Sequence, residues 1–160
     1  MNQTEKCGID YFGMIHAFKQ AQKSYDSEEV PVGAVLVDEK GKIVARAYNR
    51  VEYKNSQLGH AEIQVLDKIS KKMKCWRLNN LTLYVTLQPC MMCMGALILS
   101  RIGRIVYAAK SPLFGYDLDK QGQFGIYKDS LTIIEFQEKV ESVKLLKKFF
   151  AGQRRIKYDS

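Results

Sequence analysis

The 160-residue sequence has no apolar run near the ~20 residues that a membrane-spanning helix needs, and its N-terminus lacks a basic segment followed by an apolar stretch. These absences predict a cytoplasmic protein with no membrane partner. Cysteine is sparse, at four residues, and without a secretion signal four thiols do not imply a disulfide framework. Cys7 and Cys75 stand alone and read as small buried or half-buried packing residues. Cys90 and Cys93 form the one C-x-x-C pair, and a structural zinc site would need a second. Internal repeats and low-complexity segments are also missing, so residues 1–160 are expected to form one domain.

What is present fits a folded domain. Hydrophobic residues at 46% and charged residues at 26% exclude a disordered or fibrous class, and the length allows a core without covalent staples. The net charge of +8 suits a polyanionic partner, nucleic acid being the commonest. Taken alone, that charge is equally met by a solvated surface.

Phe12, Ile15, Phe18 and Ala21 recur at helical spacing and predict a helix over residues 11–25, with His16 as a packing or surface residue. Residues 30–37 are a β-branched run broken by Pro31 and Gly33, and Asp38-Glu39-Lys40-Gly41 turns the chain before Ile43-Val44-Ala45 resumes extended structure. This predicts a hairpin. Ile63, Val65, Leu66 and Ile69 mark a helix over 60–73, with Gly59 letting the chain turn into it. Residues 81–87 suit a buried strand, and Pro89 opens a helix running through Leu99. Strands follow over 104–109 and 131–136, separated by an irregular stretch, and a helix over 140–150 ends the pattern. The order predicts an α/β domain, a mixed sheet with helices on both faces.

Two fragments carry chemistry, His60-Ala61-Glu62 and Pro89-Cys90-Met91-Met92-Cys93, each at a predicted helix start. A catalytic zinc keeps three protein ligands and leaves a fourth position for water, and His60, Cys90 and Cys93 make such a set. Cysteines at i and i+3 lie on one helix face, where the positive helix end favours thiolate. Glu62 stands two positions from His60, too close in sequence to share the metal comfortably. Reaching across the first turn, it would instead meet the water and shuttle its proton. Alone, the cysteine pair would fit a redox couple or half a zinc knuckle. Together the fragments point to hydrolysis: activated water attacks the amine-bearing carbon of a heteroaromatic ring, Glu62 protonates a ring nitrogen, and ammonia leaves.

At these residues the chain resembles the cytidine-deaminase-like superfamily of zinc deaminases, with its H-x-E and P-C-x-x-C signature. It resembles more closely the bacterial tRNA-specific adenosine deaminases, from about residue 29 to 155. The likeness rests on Glu29-Val30-Pro31-Val32-Gly33-Ala34-Val35, Tyr48-Asn49-Arg50, His60-Ala61-Glu62-Ile63, Thr82-Leu83-Tyr84-Val85-Thr86-Leu87, Pro89-Cys90-Met91-Met92-Cys93, and Phe149-Phe150 with Arg154-Arg155. It implies a three-layer α/β/α fold and one zinc ion per subunit. It further implies conversion of adenosine to inosine at the wobble position of a tRNA anticodon loop by a homodimer, with no DNA partner. Asn49 and Ala61 would then contact the flipped nucleoside, while Phe149, Phe150, Arg154 and Arg155 would hold the loop. Unpaired loop bases are easily extruded, which suits such chemistry. Read from the residues alone, Asn49 is equally a turn cap, the Phe pair core packing, and the basic tail a solvated face.

The chain departs from that family's pattern in places. Ala108-Ala109-Lys110-Ser111-Pro112-Leu113-Phe114-Gly115 stands where the family usually has Gly-Ala-x-Asp-x-Lys-x-Gly, Gln88 replaces a usual glutamate, Leu58-Gly59 replaces Thr-Ala, and a later Asn-His dipeptide is absent. These positions bear on substrate contacts and leave the zinc ligands untouched. The rival readings are a deaminase of a free base or nucleoside, of guanine or cytosine type, and a non-catalytic zinc-bearing RNA-binding module.

Overall fold

Gly33–Val37 (β1) buries all five of its residues, a pattern met when a strand is covered on both faces. The computed structural model, which describes residues 3–116, 131–136 and 140–158, shows how. β1 pairs antiparallel with Ile43–Tyr48 (β2) and with Thr82–Leu87 (β3). β3 pairs parallel with Arg104–Ala109 (β4), and β4 with Thr132–Glu135 (β5), giving the order β2-β1-β3-β4-β5. All strands but β1 therefore run the same way, and their carboxyl ends share one end of the sheet. Open sheets bind ligands at that end.

Helices fill both faces. Gln3–Asp26 (α1) sets Met14 and Ala17 against Val35, Val37, Tyr84, Val106 and Ala108. Ala61–Met73 (α3) and Met91–Leu99 (α4) cover the opposite face, where Val65, Leu66, Ile69, Met94, Leu97 and Ile98 meet Leu36, Leu83, Val85 and Ile105. The alternation of Ala34 and Leu36 with Val35 and Val37 thus feeds two cores from one strand. A short helix, Val51–Lys54 (α2), follows β2, and Val140–Tyr158 (α5) packs on α1 and β4. Among the described residues, no helix is long and apolar enough to cross a membrane.

The mixed, doubly covered sheet matches the expectation, while several boundaries move. α1 starts at Gln3, well before Tyr11, because Ile9 packs on the core and Asp10 is held by an ion pair although the segment lacks an apolar period. α5 runs past Phe150 to Tyr158. The expected strand over 81–87 begins at Thr82, and that over 131–136 narrows to Thr132–Glu135. Cys75 is exposed instead of packed, since the left-handed Lys74 ends α3 and turns the chain outward. The Cys7 side chain lies outside the described residues. His16 is a half-buried surface residue, edge-on to Phe12 at 4.6 Å.

One polar network ties α1 to the sheet. Arg104 donates through Nη1 and Nη2 to both oxygens of Asp10, the second bond at 2.6 Å, and the Tyr84 hydroxyl donates to Asp10 Oδ1 at 2.8 Å. Burial and the neighbouring Asp10 carboxylate push the Tyr84 hydroxyl above its ordinary range. The pair is largely shielded, with side-chain exposures of 13% and 14%. Asp10→Ala is therefore expected to strand the Arg104 cation and lower stability by about 3 kcal/mol. Urea unfolding measures it, and an unchanged midpoint would show that water reaches the arginine.

Candidate metal centre and active site

Three connections meet at the carboxyl ends of β2, β3 and β4. After β2 the chain passes Asn49 and α2 into a 3-10 turn, Gln57–Gly59, and His60 forms the N-cap of α3. After β3 it passes Gln88 and Pro89, and Cys90, in extended conformation, caps α4. Cys93 follows in the first turn. The His60 side chain makes no hydrogen bond to its own helix, and both it and Cys90 turn toward each other.

They do so closely. His60 Nδ1 lies 3.7 Å from Cys90 Sγ and 3.4 Å from Cys93 Sγ, and the three donor atoms all lie within 4.8 Å of one another. A tetrahedral ion with metal–sulfur bonds of about 2.3 Å and a metal–nitrogen bond near about 2.0 Å has S···N edges of about 3.6 Å. The donor set fits one such ion. Among the described residues, no fourth His, Cys, Asp or Glu joins this group. Cys93 is fully buried, whereas His60 and Cys90 are half-buried and leave an approach from outside.

The electrostatics agree with a cation site. Cys90 is lowered to about 4, first because the Cys93 thiol donates to its thiolate and then, against the pull of burial, because His60 does. The same contact with Cys90, together with burial, pushes the Cys93 thiol far up. His60 is raised by its hydrogen bond to Cys90 and by the Glu62 charge, which outweigh burial. Protons thus hold together three crowded donors, and a divalent cation at their centre would displace those protons.

Glu62 is 4% exposed and stands outside the ligand group. Burial raises its carboxyl above the ordinary range, opposed by its own backbone N–H and by His60. A carboxyl raised in this direction holds a proton more readily than an exposed one, which suits a group that takes up and returns protons.

Two details of the local structure correct the sequence reading. Pro89 lies outside the helix it was expected to open, because Cys90 is the cap and α4 starts at Met91. Gly59 is needed for space more than for turning: a Cβ there would sit 2.7 Å from the Arg50 carbonyl carbon and oxygen. The close approach lets Arg50 N–H donate to Gly59 O at 2.9 Å. Gln64, one turn into α3, reinforces it by donating to both Tyr48 O and Gly59 O at 2.7 and 2.8 Å. Nothing in the helical period singles out Gln64.

The expected substrate contacts separate into groups. Asn49 is 5% exposed, beside the turn that carries His60. Ala61, the first residue of α3, is buried as a whole. Phe149 packs edge-on against Tyr25 at 6.4 Å and against Phe150 at 5.4 Å, while Phe150 is about half exposed. α5 carries Arg154 and Arg155, whose side chains lie outside the described residues.

The segment that departs from the family pattern folds back onto the Cys90 end of this donor cluster. Cys90 forms a β-bridge with Gly115, and Tyr116 N–H donates to Pro89 O at 3.0 Å. Gln88 closes the arrangement: its Oε1 accepts from Ser111 N–H at 3.2 Å, and its Nε2 donates to Tyr116 O at 3.4 Å. A Cβ at Gly115 would collide with Gln88 Oε1. Two departures in sequence are therefore one contact in space.

Residues 10–154 match the family model of MafB19-like deaminases. The chain belongs to that family. Among curated relatives, the deaminase is 46% identical over 106 residues to a tRNA-specific adenosine deaminase of Bacillus subtilis (strain 168), covering 66% of this chain and 65% of that one. It is 39% identical over 155 residues to the enzyme of the same name from Buchnera aphidicola subsp. Schizaphis graminum (strain Sg), covering 93% and 99%. Thus it spans just under two thirds of the Bacillus protein and nearly all of the Buchnera one; a chloroplastic tRNA(adenine(34)) deaminase of Arabidopsis thaliana is matched over 9% of its length. A solved structure from work on A-to-I editing by tRNA:A34 deaminases superposes with a TM-score of 0.76 at 32% identity, covering 85% of this chain and 99% of that chain. The deaminase accordingly has the expected three-layer α/β/α fold.

Gln88→Ala is expected to speed amide exchange at Ser111 about tenfold, the equivalent of one hydrogen bond worth about 1.4 kcal/mol. Unchanged exchange there would mean that the 110–116 loop holds itself without the glutamine.

Proposed function

We propose that this protein hydrolytically deaminates adenosine to inosine at the wobble position of a tRNA anticodon, with one zinc ion held by His60, Cys90 and Cys93. The observation that carries the reading is a three-donor cluster with a buried carboxyl, Glu62, beside it and outside it. A structural site has no use for that carboxyl.

When bound, zinc supplies Lewis-acid activation of a water molecule. Glu62 accepts a proton from the water as its oxygen attacks C6 of the adenine ring. It passes that proton to the ring nitrogen N1; the proton left on the new oxygen is then carried to the amino group, the C6–N bond breaks, and ammonia leaves as the C6 carbonyl forms. One water is consumed and one carbon–nitrogen bond is replaced by a carbon–oxygen bond. Burial of Glu62 suits both directions of transfer, because the neutral form is not penalised.

Binding is assigned to residues around the same sheet end. The Asn49 amide and the backbone of Ala61 hold the extruded nucleoside, and Phe150 on α5, with Phe149, Arg154 and Arg155, grips the anticodon loop. The net charge of +8 supports an RNA partner. Pairing of two copies is supported by α4, whose Met91, Met92 and Leu99 are exposed on the side away from the core. We assign the activity to a single domain over residues 1–160, acting in the cytoplasm.

Glu62→Ala should retain zinc and thermal stability while turnover falls by at least about a hundredfold; turnover within a few-fold of the parent would remove Glu62 from the chemistry. The substrate is tested by incubating the purified protein with a tRNA transcript carrying adenosine at the wobble position, and separately with free guanine, cytosine and their nucleosides, followed by nucleoside mass analysis. Inosine in the tRNA alone is expected. Deamination of the free compounds with none in tRNA would assign the enzyme to free bases.

A further inference from the structure

Glu29 lies in the connection from α1 to β1, is 1% exposed, and belongs neither to the metal cluster nor to the proton path. No cation faces it in a salt bridge among the described residues. Its charge is met instead by three N–H donors: Tyr53 N at 2.8 Å on Oε1, and Glu52 N at 3.2 Å with Asn49 Nδ2 at 3.1 Å on Oε2. A carboxylate can only accept, so this contact fixes which end of the Asn49 amide faces inward. The rest of Asn49 is equally constrained. Its N–H donates to Val32 O at 2.9 Å, and its carbonyl accepts from Ser24 Oγ at 3.2 Å.

The other end of that amide is left over. Asn49 Oδ1 accepts no hydrogen bond from the protein, yet among the described residues only Arg104 Nε is a buried side-chain nitrogen or oxygen without a partner. Asn49 Oδ1 therefore lies in the small part of the residue that solvent reaches. The next residue, Arg50, is bonded to Gly59, which directly precedes His60.

We propose that Glu29 is a positioning residue, locking the Asn49 amide so that it offers the substrate a hydrogen-bond acceptor and withholds a donor. This rests on the reading of Asn49 as a nucleoside contact. The partner on the substrate is then a donor, a hydroxyl or an N–H of the extruded nucleoside. A glutamine at position 29 has one oxygen for these three donors; with that oxygen on Tyr53 N, the shortest contact, its NH2 is set against both Glu52 N–H and the NH2 of Asn49. Relief comes when Asn49 turns over, which presents a donor where an acceptor is needed.

The test is a cycle of Glu29→Gln, Asn49→Asp, the double variant and Asn49→Ala, assayed on a tRNA transcript with adenosine at the wobble position, with zinc content and thermal unfolding measured in parallel. Glu29→Gln is expected to raise KM about tenfold, the loss of one well-placed hydrogen bond, with kcat changed less and zinc retained. Asn49→Asp alone sets two carboxylates together and should be the most impaired. The double variant should recover most of the loss, because the amide now at position 29 donates to one oxygen of the carboxylate now at position 49, and the other oxygen is again an acceptor. If Asn49→Ala raises KM while Glu29→Gln does not, or if the double variant is no better than Glu29→Gln, the positioning role is overturned and the Asn49 contact survives. An unchanged KM in Asn49→Ala removes the contact and the inference together. Should Glu29→Gln fail to fold, the Asn49 side-chain NH2 of the parent protein decides by NMR: protection from exchange is expected, and exchange as fast as in free asparagine overturns the lock.

Discussion

The candidate site depends on the convergence of one imidazole and two sulfurs from segments thirty residues apart in sequence, at separations of 3.4 and 3.7 Å. Neither segment holds that geometry by itself. The register of the sheet does: β2, β3 and β4 end together, so the turns leaving them carry Asn49, Cys90 and the 110–116 loop to one place. Both ligand-bearing helices then pack on the same face of the sheet, which points their N-termini at the same spot. An ion set between them is favoured by thiolates at a helix start and by an imidazole whose proton it displaces.

Around this centre lies a shell of uncharged or buried groups that keeps the geometry fixed. Gln64 ties Tyr48 to Gly59, and Gln88 ties the ligand segment to the loop beyond β4. Glutamine suits both places because one side chain bridges two backbone sites; at position 88 it both donates and accepts, which a glutamate could not do. The loop it holds presents Leu113 and Phe114 to solvent.

Much of the centre was legible in the sequence, since the spacing of His60 with Glu62 and of Cys90 with Cys93 is itself a statement about reach from a helix start. The doubly covered sheet was also legible, because an unbroken apolar run such as Ala34 to Val37 has no exposed face to alternate with. What escaped were contacts whose partners are backbone atoms distant in the chain. Glu29 reads as one more charged residue until Glu52 and Tyr53 are seen to donate to it. α2 is four residues long and carries no period, and the first turns of α1 owe their order to Arg104, ninety-four positions away. Gly59 is required by packing against the Arg50 carbonyl, which leaves no trace in local sequence.

X-ray absorption at the zinc edge of the metal-loaded protein reads the ligand sphere directly. Two sulfurs at about 2.3 Å with two nitrogen or oxygen scatterers at about 2.0–2.1 Å are expected, one of these being water that inhibitor or substrate analogue replaces. A shell of three or four sulfurs, or a fourth position filled by protein and indifferent to added ligand, would contradict a catalytic centre built from His60, Cys90 and Cys93.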